Sequence, residues 1–296
     1  MKKTLLPLLI LSFLSLTALR SDKPAYVVYT IKGKSADYGD ILKAALSSDL
    51  ILFGEMHNNP VCHWLEFELM RDLYNEKKSN LVLGAEMFET DNQLLVSEYT
   101  GKRIRKKDFE SEAKIWPGYK NNYAPLLDFA RENGIKFIAT NVPRRFAAMV
   151  NQKGFEGLDS LLGIERGMMA PLPIHYDSTL NGYASIKKNM GNEIPAHLSA
   201  NLPKAQALKD ATMAHFIMKN MAENKTTFLH FNGSYHSDNF EGIVWYVNDY
   251  LKRTNFPLRI LTISCVEQDT VGVLSKENLG KADFIICIPS SMPKTN

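Results

Sequence analysis

Residues 50–68 read LILFGEMHNNPVCHWLEFE. Four apolar residues, Leu50 to Phe53, make a run short enough for a strand buried on both faces. Gly54 breaks the run, and two side chains suited to chemistry follow, Glu55 and His57. Asn58, Asn59 and Pro60 make a turn, and Pro60 suits the first position of a helix, where its missing N–H costs nothing. Cys62, His63 and Glu66 then fall in the first two turns of that helix. A strand, a polar elbow and a helix follow one another, with the chemistry at the carboxyl end of the strand. That is where open α/β sheets bind ligands.

The same grammar recurs on either side. Tyr26 to Ile31 is a β-branched and aromatic run, read as a first strand, and Asp37 to Leu46 carries apolar residues at helical spacing. Leu81 to Ala85 predicts the next buried strand, ending on Glu86, Met87, Phe88 and Glu89, with Thr90 or Asp91 to cap the helix after it. Residues 101–108, GKRIRKKD, read as a basic surface turn. A helix over Tyr123 to Asn133 is closed by Gly134. The strand Ile135 to Ala139 leads to Asn141 and a second elbow, Val142-Pro143-Arg144-Arg145. Residues 151–202 carry no strong strand, are rich in Gly, Pro and Met, and hold His175, Tyr176, Tyr183 and His197. On an α/β scaffold such a stretch is a lid or small helical or irregular subdomain. A long helix over 202–223, a strand over Thr227 to Phe231 ending on Gly233-Ser234-Tyr235-His236, a helix over 240–252 and strands over 258–264 and 283–288 complete the pattern. Strand and helix alternating in this way predict an α/β fold, a mostly parallel sheet with helices on both faces.

At 296 residues, 45% hydrophobic and 23% charged, the chain has the composition and length of a globular protein with a full-sized core. Residues 1–19, MKKTLLPLLILSFLSLTAL, run from a basic start through an apolar core to small residues at Thr17 and Ala18, the order of a secretory signal peptide. The expected domains are thus a leader at 1–19 and one α/β unit over 20–296 with the lid at 151–202. Export to the periplasm or cell surface follows, and with no cysteine near Ala18 an N-terminal lipid anchor is not expected. Net charge is +3, and removing Lys2 and Lys3 with the leader leaves about +1. Neither value is a footprint for nucleic acid, and no motif for it occurs. Cys62, Cys265 and Cys287 make no disulfide framework. Cys265 and Cys287 lie on neighbouring strand segments where they could pair, or all three are buried small hydrophobes.

Three strand ends present Glu55 with His57, Glu86 with Glu89, and His236 with His230 inside its strand. Two histidines and carboxylates converging at a sheet edge are a ligand set for a divalent ion such as zinc or manganese. The same groups serve as acid and base without a metal. Glu55, His57, Glu86 and His236 are therefore the candidate catalytic and metal-binding residues, expected within one cleft. His63 and Glu66, three apart on a helix, suit a hydrogen-bonded pair supporting the site. Arg144 and Arg145 suit a clamp on a ligand carboxylate. The methionines of the lid and long helix read as core filling.

Gly54-Glu55-Met56-His57 and Gly233-Ser234-Tyr235-His236 resemble the paired G-x-x-H motifs of the Tiki, TraB and erythromycin-esterase superfamily. Residues 121–145, NNYAPLLDFARENGIKFIATNVPRR, are similar to the segment of its ChaN haem-binding family that ends in Asn-x-Pro-Arg. Residues 205–214, AQALKDATMA, resemble that family's Gln-Asp-Met-Ala helix. Many members are lipoproteins, and this chain departs from them in lacking the anchoring cysteine. The resemblance implies an α/β core, export, and haem binding, with a homodimer enclosing the haem and membrane-associated uptake machinery as a partner. As a haem binder in iron uptake or storage, the protein would cover the porphyrin with the lid, meet its propionates with Arg144 or Arg145, and offer Tyr176, Tyr183 or His175 as axial ligand. As a metal-dependent hydrolase, an esterase or peptidase, it would use Glu55, His57, Glu86 and His236 to activate water.

Overall fold

The computed structural model describes residues 23–189, 201–222, 226–254 and 257–295. The leader at 1–19, Met190 and His197 lie outside the described residues. Eight strands form one sheet: β1 (Val27–Thr30), β2 (Ser35–Ala36), β3 (Leu50–Glu55), β4 (Leu81–Glu89), β5 (Lys136–Asn141), β6 (Thr227–Gly233), β7 (Ile260–Gln268) and β8 (Phe284–Pro289). Their order is β2-β1-β8-β7-β3-β6-β4-β5. From β8 to β5 neighbouring strands are parallel, and β1 runs antiparallel to β2 and β8.

Helices cover both faces, as the alternation required. On one lie α1 (Tyr38–Leu46), α2 (Pro60–Lys77), α3 (Gln93–Thr100), α4 (Lys106–Glu112), α5 (Tyr119–Asn122) and α6 (Ala124–Asn133). On the other lie α7 (Arg144–Lys153) and the lid with its short α8 (Gly163–Arg166) and α9 (Asn181–Asn189). The long α10 (Leu202–Ala222) and α11 (Ile243–Thr254) complete that side. β3 is buried along its whole length. Ile51 and Phe53 enter the core beneath α1–α6, and Leu50 and Leu52 the core beneath α7–α11. Each of these side chains contributes about 1.5–3 kcal/mol by leaving water. Pro60 opens α2 as expected, and the Asn59 side chain accepts from the Val61 N–H at 3.0 Å to cap it.

Three local readings change. The basic turn at 101–108 ends inside α4, because buried Phe109 stacks on Tyr99 and anchors that segment to the core. The helix read from 240 starts at Ile243, since Asn239 and Phe240 both take φ of 59° and reverse the chain first. Cys265 and Cys287 do not pair. Cys265 is level with Ile286, and Cys287 with Val266, so the two thiols point to opposite faces. Cys265 instead lies within hydrogen-bonding reach of Cys62 on α2.

Candidate active site at the strand ends

Two glycines bring the elbows together. β3 and β6 are neighbours, with Gly54 level with Asn232 and Glu55 with Gly233. A Cβ on Gly54 would lie 2.8 Å from Ser234 Cα and 2.9 Å from the Ile263 carbonyl oxygen. A Cβ on Gly233 would lie 2.9 Å from His57 Nε2 and 3.5 Å from Glu86 Oε2. Each motif's glycine thus makes room for the other motif: a side chain at Gly54 would press on backbone, and one at Gly233 would have to displace the His57 ring.

Strand alternation then divides the polar residues between the faces. Glu55 shares the side of Ile51 and Phe53 and points under α2. Its Oε1 accepts from His57 Nδ1 at 2.5 Å and from the Tyr123 hydroxyl at 3.0 Å. Its Oε2 lies 3.1 Å from His63 Nδ1, which is also 3.1 Å from Glu66 Oε2. Burial would raise the Glu55 carboxyl, but hydrogen bonds from His57 and His63 hold it down to about 2. Burial works against a charge on His63 too, yet Glu55 and Glu66 push it up to about 11. Glu66 is driven well above the usual carboxylate range by burial and by the charge on Glu55.

Glu86 points to the opposite face. Its Oε2 accepts from the Gly233 N–H at 2.8 Å, and its Oε1 lies 3.1 Å from His236 Nε2. The other nitrogen of His236 lies 2.5 Å from Asp210 Oδ1 on α10, and Asp210 Oδ2 accepts from the Tyr183 hydroxyl at 2.7 Å. Gln206 Nε2 is 3.1 Å from His236 Nε2. Burial opposes charge on His236, but Glu86 and Asp210 raise it to about 10. Burial raises Asp210. Burial would also lift Glu86, but His236 and His57 keep it well below its ordinary value. His236 is therefore a buried imidazolium between two carboxylates. His57 sits at the rim, its side chain 45% exposed, with Nδ1 held by Glu55 and Nε2 turned to Gly233. Burial lowers its basicity, and the Glu55 hydrogen bond and Glu86 charge more than restore it.

Of the four strand-end candidates, His57, Glu86 and His236 thus meet around Gly233, whereas Glu55 is buried on the other face of the sheet and reaches them only through His57, so the four do not share one cleft. His230 does not join them: it lies inside the sheet between Thr140 and Asn232, and burial lowers it to about 4. Beside this cluster runs an open trough of about 380 Å³, with apolar walls that include Trp116, Val142 and Leu202 and with Glu89, Asn141, Arg144, Asn151, Gln206 and Lys209 as its polar groups. Glu89, Trp116, Arg144 and Ala148 also line a second hollow of about 430 Å³ that reaches Lys114 and Arg145. The Trp116 ring meets His57 edge-on at 5.2 Å. Arg144 is 77% exposed with Glu89 3.9 Å away, whereas Arg145 pairs with Asp91 and covers the Phe146 ring.

The remaining candidates lie elsewhere. Tyr176 is half-buried against Phe155 and Tyr183. Tyr183 is buried with its hydroxyl given to Asp210. His175 stacks on Trp245 at the mouth of a separate cavity of about 410 Å³ between α10 and α11. Sequence reasoning gave no role to Tyr123, Asp210 or Gln206. All three fall in the segments 121–145 and 205–214, so the signal was present as a motif without a chemical assignment.

Comparison with known proteins places this geometry. A family profile described as haem-binding uptake, Tiki superfamily, ChaN, matches residues 41–247. RETICULATA-RELATED 5, a chloroplastic protein of Arabidopsis thaliana, is 27% identical over 197 residues, which are 62% of this chain and 26% of that one. The chain therefore spans about a quarter of that relative's length. A solved structure of cofacial heme binding to ChaN of Campylobacter jejuni superposes with a TM-score of 0.66 at 15% identity, over 90% of this chain and 97% of that. A mutant of the erythromycin esterase EreC in its open conformation does so with a TM-score of 0.50 at 12% identity, over 91% and 98%. Both share the fold.

Proposed function

Because the chain belongs to the ChaN family of haem-binding uptake proteins in the Tiki superfamily, we propose that it binds haem outside the cytoplasm in the service of iron or haem uptake or storage. The observation that carries the reading is the trough. Its apolar walls suit a porphyrin face, and Arg144 and Lys209 offer charge for propionates. Its size falls in the range of small-molecule sites. The buried side-chain oxygens of Asn141 and Asn151 have no partner among the described residues, and both residues line it. Such groups are costly unless a ligand or water meets them.

Haem, when bound, supplies an iron centre whose behaviour is set by its axial residue. Tyr176 is the lid residue left for that place, since Tyr183 already serves Asp210; it does not line the trough as it stands, so the lid would have to bring it there. On the lid, Leu162 and Ile164 are 70% and 78% exposed around α8, an apolar pair that a second copy of the chain would cover in a homodimer. The leader would deliver the chain to the periplasm or cell surface, where membrane-associated uptake machinery would receive the haem.

One observation favours a second reading, a hydrolase acting on an ester or peptide. His57 is a rim imidazole with its Nδ1 proton held by a carboxylate and its Nε2 available as a base. His236 is a fixed cation beside it, suited to stabilise developing negative charge.

Titrating the haem-free chain with hemin separates the two. A saturable change in the Soret band is expected, shifted in Tyr176→Phe, weakened about tenfold or more in Arg144→Glu by loss of a charged contact, and retained in His57→Ala and His236→Ala. The absence of a saturable change overturns haem binding. Ester or peptide cleavage abolished by His57→Ala would then establish the hydrolase reading.

A further inference from the structure

We infer that Glu55, His63 and Glu66 form a binding site for one divalent transition-metal cation of the zinc or manganese class. The site lies under α2, on the opposite face of the sheet from the trough, and does not depend on haem binding. It shares only Glu55 with the ligand set expected across the strand ends.

Among the described residues, these three offer donor atoms that all lie within 4.8 Å of one another. His63 Nδ1 is 3.1 Å from Glu55 Oε2 and 3.1 Å from Glu66 Oε2. Bonds of about 2.0–2.2 Å to a shared ion impose donor spacings of that order. An imidazole with two carboxylates suits zinc, manganese or ferrous iron. Metal ligation requires the deprotonated forms, so a divalent cation would displace the protons held here, and two carboxylates with a neutral imidazole would then balance its charge.

The orientation of His63 is decisive. Its Nε2 lies 3.1 Å from the His57 carbonyl oxygen, which can only accept, so the ring carries a proton on Nε2. A metal-binding histidine is commonly held in this manner, its outer N–H donated to a backbone carbonyl. The neutral ring then turns the Nδ1 lone pair towards two carboxylate oxygens, a repulsive arrangement unless something positive lies among them.

The rival occupant is a second proton on His63. That proton satisfies Glu66 Oε2. Glu55 Oε2, equally 3.1 Å from His63 Nδ1, can only share that one proton, and Glu66 Oε1 stays buried with no hydrogen-bond partner among the described residues. Both residues are almost wholly buried, Glu55 at 1% exposure and Glu66 at 0%, where an orphaned carboxylate oxygen is expensive. A cation meets both oxygens at once. The far side of Glu55 is already braced by Tyr123 and His57, as an outer shell around a metal ligand should be. The ion would tie the first turns of α2 to the end of β3 and so fix the carboxylate that orients His57.

The test uses the full haem-free chain, stripped with a chelator, loaded with Zn²⁺ and desalted, with elemental analysis of bound zinc. One equivalent is expected in the wild type and in His236→Gln, and little or none in Glu66→Gln and His63→Gln. Co²⁺ in place of zinc should give visible d–d absorption in the wild type. No uptake of Zn²⁺, Mn²⁺ or Co²⁺ by the wild type overturns the site, as does full uptake by Glu66→Gln. Uptake lost in His236→Gln but kept in Glu66→Gln assigns the ion to the strand-end cluster and also overturns it. If Glu66→Gln fails to fold, the Co²⁺ spectrum of His236→Gln decides: its presence upholds the site under α2, and its absence overturns it.

Discussion

His236 shows how much of a site a single residue type conveys in sequence, and where that stops. Its place after a buried strand marked it as a candidate, but its charge rests on Asp210, from a long helix, as well as on Glu86. Which residue of α10 faces His236 depends on how that helix lies on the sheet, and no local spacing encodes it. The charge has a measurable sign. The folded pKa of about 10 lies above the ordinary 6.5. The stability His236 contributes is therefore complete below about pH 6.5 and is lost as pH rises towards 10. The groups facing it are Glu86 from β4 and Asp210 and Gln206 from α10. The wild-type melting temperature should fall across that window. A His236→Gln variant should lack this part of the fall, and an equal fall in both would refute the assignment. Glu86, held low by His236 and His57, places a separate loss of stability below about pH 4.5.

At the level of elements, strands were the most legible because burial on both faces leaves an apolar run, and β3 and β6 stand where such runs occur. Helix α4 was not legible. Its charged surface hid the one buried aromatic, Phe109, that fixes it. The lid showed its residues but not their duties, so Tyr183 turned out to hold Asp210 rather than face outward. The two elbows were each visible as a motif, whereas their interlock is a property of the pair. Gly54→Ala would set a methyl group against the Ser234 backbone and the Ile263 carbonyl, neither of which is a flexible side-chain end. Overpacking of this kind costs about 1–3 kcal/mol. Urea unfolding should show that loss, and a Gly54→Ala midpoint equal to the wild type would mean that the elbows yield easily.

For the molecule as a whole, composition and alternation conveyed the fold class, while the sheet order lay beyond local pattern because it depends on pairings between distant segments. Among the described residues no helix is long and apolar enough to cross a membrane. The leader reading carries the expectation of export, and it implies a mature chain that begins near residue 19. Intact mass measurement of natively produced protein should find the first 18 or so residues missing. Retention of Met1 would overturn export by cleavage. The sheet order also bears on how the protein comes into being. β3 sits between β7 and β6, and β6 joins it to β4, so both neighbours of β3 belong to the last third of the chain. On a ribosome adding about 5–20 residues per second, β6 emerges roughly ten seconds or more after β3. During that interval β3, a strand buried along its whole length, lacks both its sheet partners, and the nascent chain cannot close into its final shape. A protein whose central strand must wait for its far end stays threadable for most of its synthesis, which is the state a translocation channel requires.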